Sequence, residues 1–509
     1  MTIRRYMVSL ILLAVVVAGV GGCHQAAPEP GGVLRLAYPA PLGGFDPASD
    51  AGVEVWAPLI YDTLLRQTPD GEYAPGLAER WRWDEASLSL VLYLRRRVFF
   101  HDGYPLDAAT VVHSLHRLIT VANSDPGADP VLAEAGAAID ALEAIDQRTL
   151  AIRLTRATPA IWHLLSAPRG AIVHPRYDWE RFPDQLPPGT GPFRPIEVGE
   201  GGVRLKRYAE YGWGPAFTGN SGPAHLTEVC LLSVPPAPEN PVAVGDEFDL
   251  VRLGGGQSDE QRARGSGAIV WRGPGQELWY LGFRLNGGSL TGLEVRSAVD
   301  LGIDRARLAV AAQLPPPSAW TGHLPPGAWG ARDREVSHDP VRARQLLEGV
   351  RGELEVLAYS SSVGSRLAEA LASSLGELGL ALRITILRPY DFFRRLEQGD
   401  FQAFVLSFRW PEPDILYYLL HSRQSGKTNR FGFADPQVDL ILEVAAGTQE
   451  LAARRALYDE LQKILGARLP YVPLVALNPA WAMTRKYDGL IIGPGGVLYL
   501  HGVHQIPGK

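Results

Sequence analysis

The sequence contains little cysteine, which restricts its covalent chemistry. Among 509 residues the two cysteines are Cys23 and Cys230. Cys23 lies at the end of an N-terminal segment, and we expect its thiol to be modified there. Cys230 would then have no cysteine to pair with, so we expect no disulfide. Cys230 lies in the strand-like run 228–234. A buried structural thiol is expected there rather than a nucleophile.

The sequence also lacks an excess of positive charge and, beyond residue 20, any long apolar run. Lys and Arg number 49 against 55 Asp and Glu, a net charge of −6. No overall basic field is present to hold nucleic acid, and no later segment is long enough to span a bilayer. The apolar fraction of 46% is typical of a globular protein, and the length predicts two or three lobes.

Motifs for catalysis and metal binding are missing as well. The sequence has no Gly-x-Ser-x-Gly elbow and no His-Glu-x-x-His helix. His113 and His116 lie three residues apart on a predicted helix, but a histidine pair without a nearby acidic or thiol ligand is more typical of a helix surface than of a metal site. We therefore expect no catalytic residues, no metal and no cofactor, and we predict that the protein is not an enzyme.

The N-terminal segment has the pattern of a signal peptide. Arg4 and Arg5 form a positive region, and residues 8–20 form an apolar stretch too short for a comfortable membrane span. The stretch ends in Val-Gly-Gly-Cys at Cys23, which resembles the bacterial lipobox. The alternative is an ordinary signal peptide that contains a cysteine. We predict a signal peptide at residues 1–22, lipidation of Cys23, and a tether at residues 23–32 that holds the protein on the extracytoplasmic side of a bacterial membrane.

The last third of the chain predicts an α/β unit. Residues 354–358 read as a strand, leucines at residues 367–378 repeat with helical spacing, and residues 382–386 alternate as the next strand. This β-α-β order implies parallel strands with a right-handed crossover. The following apolar strand, residues 401–408, is predicted to be central in its sheet, and the loop at its carboxyl end is the natural place for a ligand.

Short motifs follow one another along the whole chain. They lie at residues 60–66, 69–81, 99–114, 189–193, 280–286, 295–305, 399–401, 411–414, 429–432, 454–458 and 470–473. In this order they resemble family 5 extracellular solute-binding proteins, the peptide- and nickel-binding components of ABC importers. The resemblance covers about residues 33 to 509.

This resemblance implies an α/β fold of the periplasmic-binding-protein type (type II, class C), with mixed sheets and a hinged cleft between two lobes. Lobe 1 would contain domain I and an inserted domain II, and lobe 2 would be domain III. The hinge would lie near residues 271–280 and 475–482. The implied bounds are 33–64, 186–270 and 479–509 for domain I, 65–185 for domain II and 271–478 for domain III.

One position departs from the family pattern. Peptide-binding members usually carry an aspartate three residues before an acidic-Pro pair, where it pairs with the ligand's ammonium group; here the pair is Glu412-Pro413 and the position holds Arg409. A guanidinium favours a carboxylate or phosphate. Alternatively, Arg409 turns outward or pairs with Glu412 or Asp414. The predicted ligand-binding residues are Tyr38, Trp271, Arg409, Trp410, Glu412 and Asp414.

The sequence thus predicts a lipid-anchored, extracytoplasmic solute-binding protein. The resemblance implies that it delivers a small ligand, peptide-like or otherwise polar or anionic, to the permease and ATPase of an ABC importer. We expect a monomer that contacts the membrane through its anchor and binds no nucleic acid. The alternative is a sensory or scavenging receptor that binds its ligand without transport.

Overall fold

A computed structural model gives the fold of most of the chain. It describes residues 31–38, 45–49, 52–124, 130–177, 186–199, 202–234, 244–245, 247–253, 256–275, 277–285, 288, 291–315, 318–410, 412–448 and 450–507. The predicted signal peptide and Cys23 lie outside the described residues. Within the described residues, no helix combines the length and apolar character needed to cross a membrane.

Strands and helices alternate through much of the chain. The strands are β1 Val33–Tyr38, β2 Leu65–Gln67, β3 Tyr73–Pro75, β4 Ala78–Asp84, β5 Ser89–Leu94, β6 Ile139–Ala144, β7 Thr149–Leu154, β8 Phe193–Gly199, β9 Gly202–Arg207, β10 Glu228–Ser233, β11 Leu250–Arg252, β12 Ile269–Arg272, β13 Glu277–Phe283, β14 Glu353–Tyr359, β15 Ala381–Leu387, β16 Ala403–Arg409, β17 Tyr471–Leu477, β18 Ala480–Met483, β19 Tyr487–Asp488, β20 Ile491–Ile492, β21 Leu498–Tyr499 and β22 His504–Gln505. The α-helices are α1 Val53–Ile60, α2 Ala108–Ser124, α3 Pro130–Ala138, α4 Ala160–Ser166, α5 Gln257–Gly265, α6 Leu293–Gly302, α7 Arg305–Ala311, α8 Pro340–Leu346, α9 Ser362–Gly376, α10 Pro389–Glu397, α11 Ile415–Leu420, α12 Pro436–Gly447 and α13 Leu451–Arg468.

The strands form three principal sheets, two of them in the first lobe. A seven-stranded sheet has the order β12-β18-β11-β1-β10-β9-β8, with β1 parallel to both β10 and β11. A four-stranded antiparallel sheet has the order β4-β5-β7-β6. Helix α2 packs beside it and begins after Asp107, whose Oδ1 accepts a hydrogen bond from the Thr110 amide at 2.8 Å, as is typical of a helix-capping aspartate.

The third sheet forms the second lobe, in the order β15-β14-β16-β13-β17. Strand β14 is parallel to β15 and β16, and helix α9 connects β14 to β15. The predicted β-α-β unit is therefore present, and the apolar strand is indeed central. It runs from Ala403 to Arg409, so it starts two residues and ends one residue later than predicted, and Arg409 is its last residue.

Strand β13 shows how the second lobe is covered on both faces. Trp279, Leu281 and Phe283 pack on the side of α6, α7 and α9, while Leu278 and Tyr280 belong to the apolar core on the opposite face. Alternate residues point to opposite faces of a strand, so both faces of this sheet are buried. The core on the second face is continuous with that of the four-stranded sheet, and it joins the two lobes.

The chain passes between the seven- and five-stranded sheets twice, at residues 273–276 and 478–479. Both passages lie inside the segments predicted as a hinge. The Gly273 amide donates a hydrogen bond to the Pro479 carbonyl oxygen at 2.9 Å, so the passages run side by side. Trp271 belongs to β12 in the seven-stranded sheet, not to the second lobe as its predicted boundary had it. The remaining domain bounds stay predictions. Below, lobe 2 is residues 277–477 and lobe 1 is the described remainder outside the two passages.

Candidate ligand-binding cleft

One edge of the five-stranded sheet collects the carboxyl ends of its parallel strands. Tyr359 ends β14 and Arg409 ends β16. Glu277, the first residue of β13, lies between Arg409 and Leu477 in the register of the three antiparallel strands. This edge adjoins the two passages that connect the lobes. Ligands of α/β proteins commonly bind at the carboxyl ends of parallel strands, so this edge is a candidate ligand site.

An open cavity lies beside the passages, with an empty volume of about 1140 Å³; we call it the hinge cleft. Lobe 1 supplies Pro69 and Asp70 to its wall, and lobe 2 supplies Trp320, Trp329 and Asp333. The passages contribute Pro274, Gly275 and Asn478 to the lining. The walls thus combine aromatic surface with carboxylates, and they come from both lobes. Space of this order suits a small-molecule ligand.

A second pocket lies within lobe 1 and differs in character. It surrounds Asp62 and Arg66, with an empty volume of about 530 Å³. Arg66 donates hydrogen bonds to Asp62 Oδ1 at 2.6 Å, to the Tyr211 hydroxyl and to the Trp213 carbonyl oxygen. The charged groups of this pocket, Asp62 and Arg66, therefore pair with each other. This pocket is a buried structural junction, and the hinge cleft is the better ligand site because both lobes wall it.

Arg409 lies at the sheet edge that adjoins the passages, where Glu277 compensates its charge. Its Nη2 lies 2.9 Å from Oε2 of Glu277, the residue directly opposite on β13. The partner is thus neither Glu412 nor Asp414, the two partners that the sequence suggested. About a third of the Arg409 side chain is exposed, against 19% of Glu277. Selection of an anionic ligand by Arg409 stays a prediction.

Trp410 joins the lobes by stacking. Its ring lies 4.4 Å from the His163 ring of α4 in lobe 1, with an interplanar angle of 26°. Its Nε1 donates a hydrogen bond to Asp414 Oδ1 at 2.8 Å, in the same loop. The loop that follows β16 therefore docks against lobe 1.

Glu412 receives hydrogen bonds from both lobes. Gln67 Nε2, on lobe 1, donates to Oε1 at 2.6 Å, and Trp329 Nε1, on lobe 2, donates to Oε2 at 2.7 Å. Tyr73 of lobe 1 also hydrogen-bonds this carboxyl group. Glu412 is 3% exposed and Asp414 2%, so a ligand could contact them only by displacing protein groups. Direct contact of either with a ligand stays a prediction.

The surroundings of Glu412 alter its acidity. Burial, and secondarily the charge of Asp414, raises its pKa to about 7, while Arg454 and the hydrogen bonds from Trp329 and Tyr73 act in the opposite sense. Burial also raises the pKa of Asp414. Arg454 is buried over the Trp329 ring, 5.0 Å from its centroid, and its Nε and Nη2 have no hydrogen-bond partner among the described residues. Two carboxyl groups thus share one buried guanidinium.

The other predicted site residues lie in the seven-stranded sheet. Tyr38 ends β1, opposite Ser233 of β10. Trp271 is half-buried on β12, opposite Trp481 of β18. The structure thus brings Arg409, Trp410, Glu412 and Asp414 together and places these two residues in lobe 1. In the part of the chain described, no cluster of three or more His, Cys, Asp or Glu side chains is placed to hold a metal ion.

Several residues of the cleft region escape sequence reasoning. Glu277, Gln67, Tyr73 and Arg454 have no local pattern that marks them as partners of the loop after β16. The loop tryptophans carry a weaker signal, since Trp320 and Trp329 lie outside helices and strands, where core packing explains an aromatic residue less well. Both line the hinge cleft.

Comparison with known proteins supports this assignment of the fold. The sequence profile of bacterial extracellular solute-binding proteins, family 5 Middle, matches residues 72–429. The chain is 24% identical to the probable ABC transporter periplasmic-binding protein SapA of Escherichia coli strain K12, over 99% of this chain and 98% of SapA. It is 24% identical to the glutathione-binding protein GsiB of Shigella dysenteriae serotype 1, over 95% and 96%. The structure of HbpA2 from Haemophilus parasuis superposes with a TM-score of 0.79 at 21% identity, over 93% and 100% of the two chains. The chain belongs to the family 5 bacterial extracellular solute-binding proteins and has their two-lobed α/β fold.

Proposed function

We propose that this protein binds a small solute in the hinge cleft and delivers it to the permease and ATPase of an ABC importer. The observation that carries the proposal is a cleft walled by both lobes, beside the two chain passages that connect them. A ligand in this position contacts both lobes and so favours their closed arrangement. Relatives that align along nearly the whole chain include the periplasmic-binding protein SapA, which is named for an ABC transporter.

A lipid anchor at Cys23 is part of the proposal. It rests on the sequence, since Cys23 directly follows the apolar stretch of the signal peptide within a lipobox pattern. A diacylated cysteine would hold the protein at the outer side of the membrane, where two acyl chains give stable attachment. The protein would then act as a monomer beside its permease.

The ligand class follows from the relatives and from the charges at the cleft. SapA of Salmonella typhimurium is named a peptide transport protein, and GsiB is named for glutathione. Glu277 compensates Arg409, so an anionic group on the ligand is not required by this edge of the sheet. A peptide-like ligand is our first candidate, and a ligand with a free anionic group beside an apolar part is the second.

Native mass spectrometry of the protein, purified without denaturation, tests the proposal. We expect a bound small molecule that is lost on denaturation. Calorimetry with glutathione and with di- and tripeptides then ranks the ligand classes. Trp320→Ala removes a cleft wall and should weaken binding, whereas Trp83→Ala, on β4 away from the cleft, should not. Equal affinities of the two variants would contradict the cleft assignment.

Lost uptake of the ligand in cells without the protein would support import, and unchanged uptake would favour a sensory or scavenging receptor.

A further inference from the structure

Glu412 lies behind the hinge cleft and hydrogen-bonds residues that form or adjoin both of its walls. Its Oε2 accepts the hydrogen bond from Trp329, whose ring lines the lobe 2 wall. Its Oε1 accepts the hydrogen bond from Gln67, which directly precedes the turn that carries Pro69 and Asp70 on the lobe 1 wall. One carboxyl group therefore connects both walls.

The lobe 1 wall is a rigid hairpin. Gln67 and Tyr73 face each other across strands β2 and β3, and both hydrogen-bond Glu412. The turn between them is closed by a hydrogen bond from the Thr68 amide to the Glu72 carbonyl oxygen at 2.8 Å. Gly71 in this turn lies against the Trp329 ring, where an added Cβ would be 3.4 Å from Cδ1. The hairpin tip thus docks directly on the lobe 2 wall.

We propose that Glu412 is a positioning residue for ligand binding, which couples closure of the lobes to assembly of the hinge cleft. When the lobes are closed, its two oxygens fix the Trp329 ring and the hairpin at residues 65–75 at a set separation. When the lobes part, Gln67 and Tyr73 leave and water reaches the carboxyl group. This inference rests on the proposed function of the cleft.

Such a carboxyl group makes closure depend on pH. The groups that face Glu412 are Tyr73 from lobe 1, Asp414 from its own loop, and Arg454 and Tyr458 from α13. With both lobes in contact with it, burial raises the pKa of Glu412 from 4.5 to about 7. In an open form that exposes the carboxyl group to water, this effect of burial is lost and the pKa returns toward its ordinary value. The closed form then binds a proton more tightly, so closure is favoured at low pH and is progressively lost as pH rises from 4.5 to about 7. Because each pKa unit corresponds to a factor of ten, the closed-to-open ratio changes by at most about 300-fold.

Hydrogen–deuterium exchange of the purified full chain, without ligand, tests this mechanism. The readouts are the protection factors of residues 65–75 and 322–332, corrected for intrinsic exchange, at roughly pH 5 and pH 8. In the wild type we expect protection of both segments to fall severalfold or more at the higher pH. Glu412→Gln should largely abolish this pH dependence, because the amide does not titrate and, of the two carboxyl groups, only Asp414 then remains. Glu377→Gln, at an exposed ion pair with Arg307, should leave it unchanged.

Two further variants keep the test decisive if Glu412→Gln does not fold. Gln67→Leu removes a lobe 1 donor, and Trp329→Phe removes the lobe 2 donor while keeping an aromatic wall. Both should lower protection of the two segments together. An undiminished pH dependence in Glu412→Gln, or segments that respond to these variants independently, would overturn the proposal.

Binding of glutathione and of trialanine as probes separates this inference from the proposed function. If a probe binds, its dissociation constant should rise from low to high pH in the wild type and stay flat in Glu412→Gln. An equally steep rise in both proteins would overturn the positioning role. If neither probe binds, the peptide-like ligand class fails, while the exchange data still decide the role of Glu412.

Discussion

Arg409 and Glu277 face each other across two neighbouring strands, with Arg409 Nη2 2.9 Å from Glu277 Oε2. The pair lies at the end of β16, where the resemblance to peptide-binding relatives leads one to expect a single acidic group. Opposite charges side by side leave this edge nearly neutral. Glu277 therefore reduces the positive charge that Arg409 presents at this edge.

Replacing Glu277 with Gln should leave the positive charge of Arg409 without its compensating carboxylate. We expect a succinylated tripeptide to gain about tenfold in affinity relative to the same tripeptide with a free amino terminus, about 1.4 kcal/mol, because the guanidinium then lacks a competing carboxylate. Calorimetry with both peptides measures the ratio. Glu353→Gln is the matched control, since Glu353 pairs with Arg383 at the opposite end of neighbouring strands. An unchanged ratio in Glu277→Gln would place this pair outside the ligand site.

Asp300 should be important for the stability of lobe 2. It is 4% exposed and accepts hydrogen bonds from Arg305 Nη2 at 2.5 Å and from Arg334 Nη1 at 2.8 Å. Asp300→Asn leaves the buried Arg305 and the partly buried Arg334 uncompensated, and we expect a loss of about 3–5 kcal/mol in the free energy of unfolding. Denaturant titration measures it. Glu377→Gln, at an exposed pair, should change it by less than about 1 kcal/mol.

Asp300 should also make the free energy of unfolding depend on pH in the acidic range. Burial alone would raise the pKa of Asp300, but the hydrogen bond from Arg334 and the charge of Arg305 hold it below 3.8. A carboxyl group with a lowered pKa contributes stability that is complete above its ordinary pKa and is lost as pH falls through the lowered value. The unfolding free energy of the wild type should therefore fall in this acidic range more steeply than that of Asp300→Asn. Parallel pH profiles would contradict the assignment.

The passage at residues 273–276 should not tolerate a side chain at Gly275. An added Cβ would lie 2.4 Å from Asn478 Oδ1 and 2.9 Å from Pro326 Cγ. Gly275→Ala should push the two passages apart and cost about 1–3 kcal/mol, visible as a lower midpoint of thermal unfolding. Gly265→Ala, at the end of α5 with no atom within 4 Å of the added Cβ, should leave the midpoint unchanged or slightly raised.

Cys23→Ser tests the anchor. We expect the protein to move from the membrane fraction to the soluble fraction and to lose the mass of the diacylglyceryl group, because serine cannot form the thioether. Cys230→Ser, on β10, should remain in the membrane fraction. Membrane association of Cys23→Ser equal to that of the wild type would contradict lipidation.

The sequence predicts those parts of the fold that depend on local pattern. The β-α-β unit at residues 353–387 follows from leucine spacing and strand alternation, and the start of α2 follows from the capping residue Asp107. The central place of β16 follows from its apolar composition, which suits a strand buried on both faces.

The pairings across the cleft could not be predicted in this way. Glu277 lies 132 positions from Arg409, and Gln67 lies 345 positions from Glu412. Such pairs depend on strand register and on how the lobes dock, and neither leaves a periodic signal in the sequence. For the same reason, the sequence could not show that Glu412 is buried behind the cleft wall.

The position of β18 in the seven-stranded sheet has a consequence for the order of folding. Strand β18 lies between β11 and β12, yet it follows the whole of lobe 2 in the chain. Lobe 2 is one contiguous stretch whose first and last strands, β13 and β17, pair with each other, so it can complete its sheet by itself. Lobe 1 cannot, because closing its sheet requires contacts between residues more than 200 positions apart, with the loop-closure entropy that this entails. Lobe 2 should therefore fold first during synthesis or export, and lobe 1 should finish only when the C-terminal segment arrives.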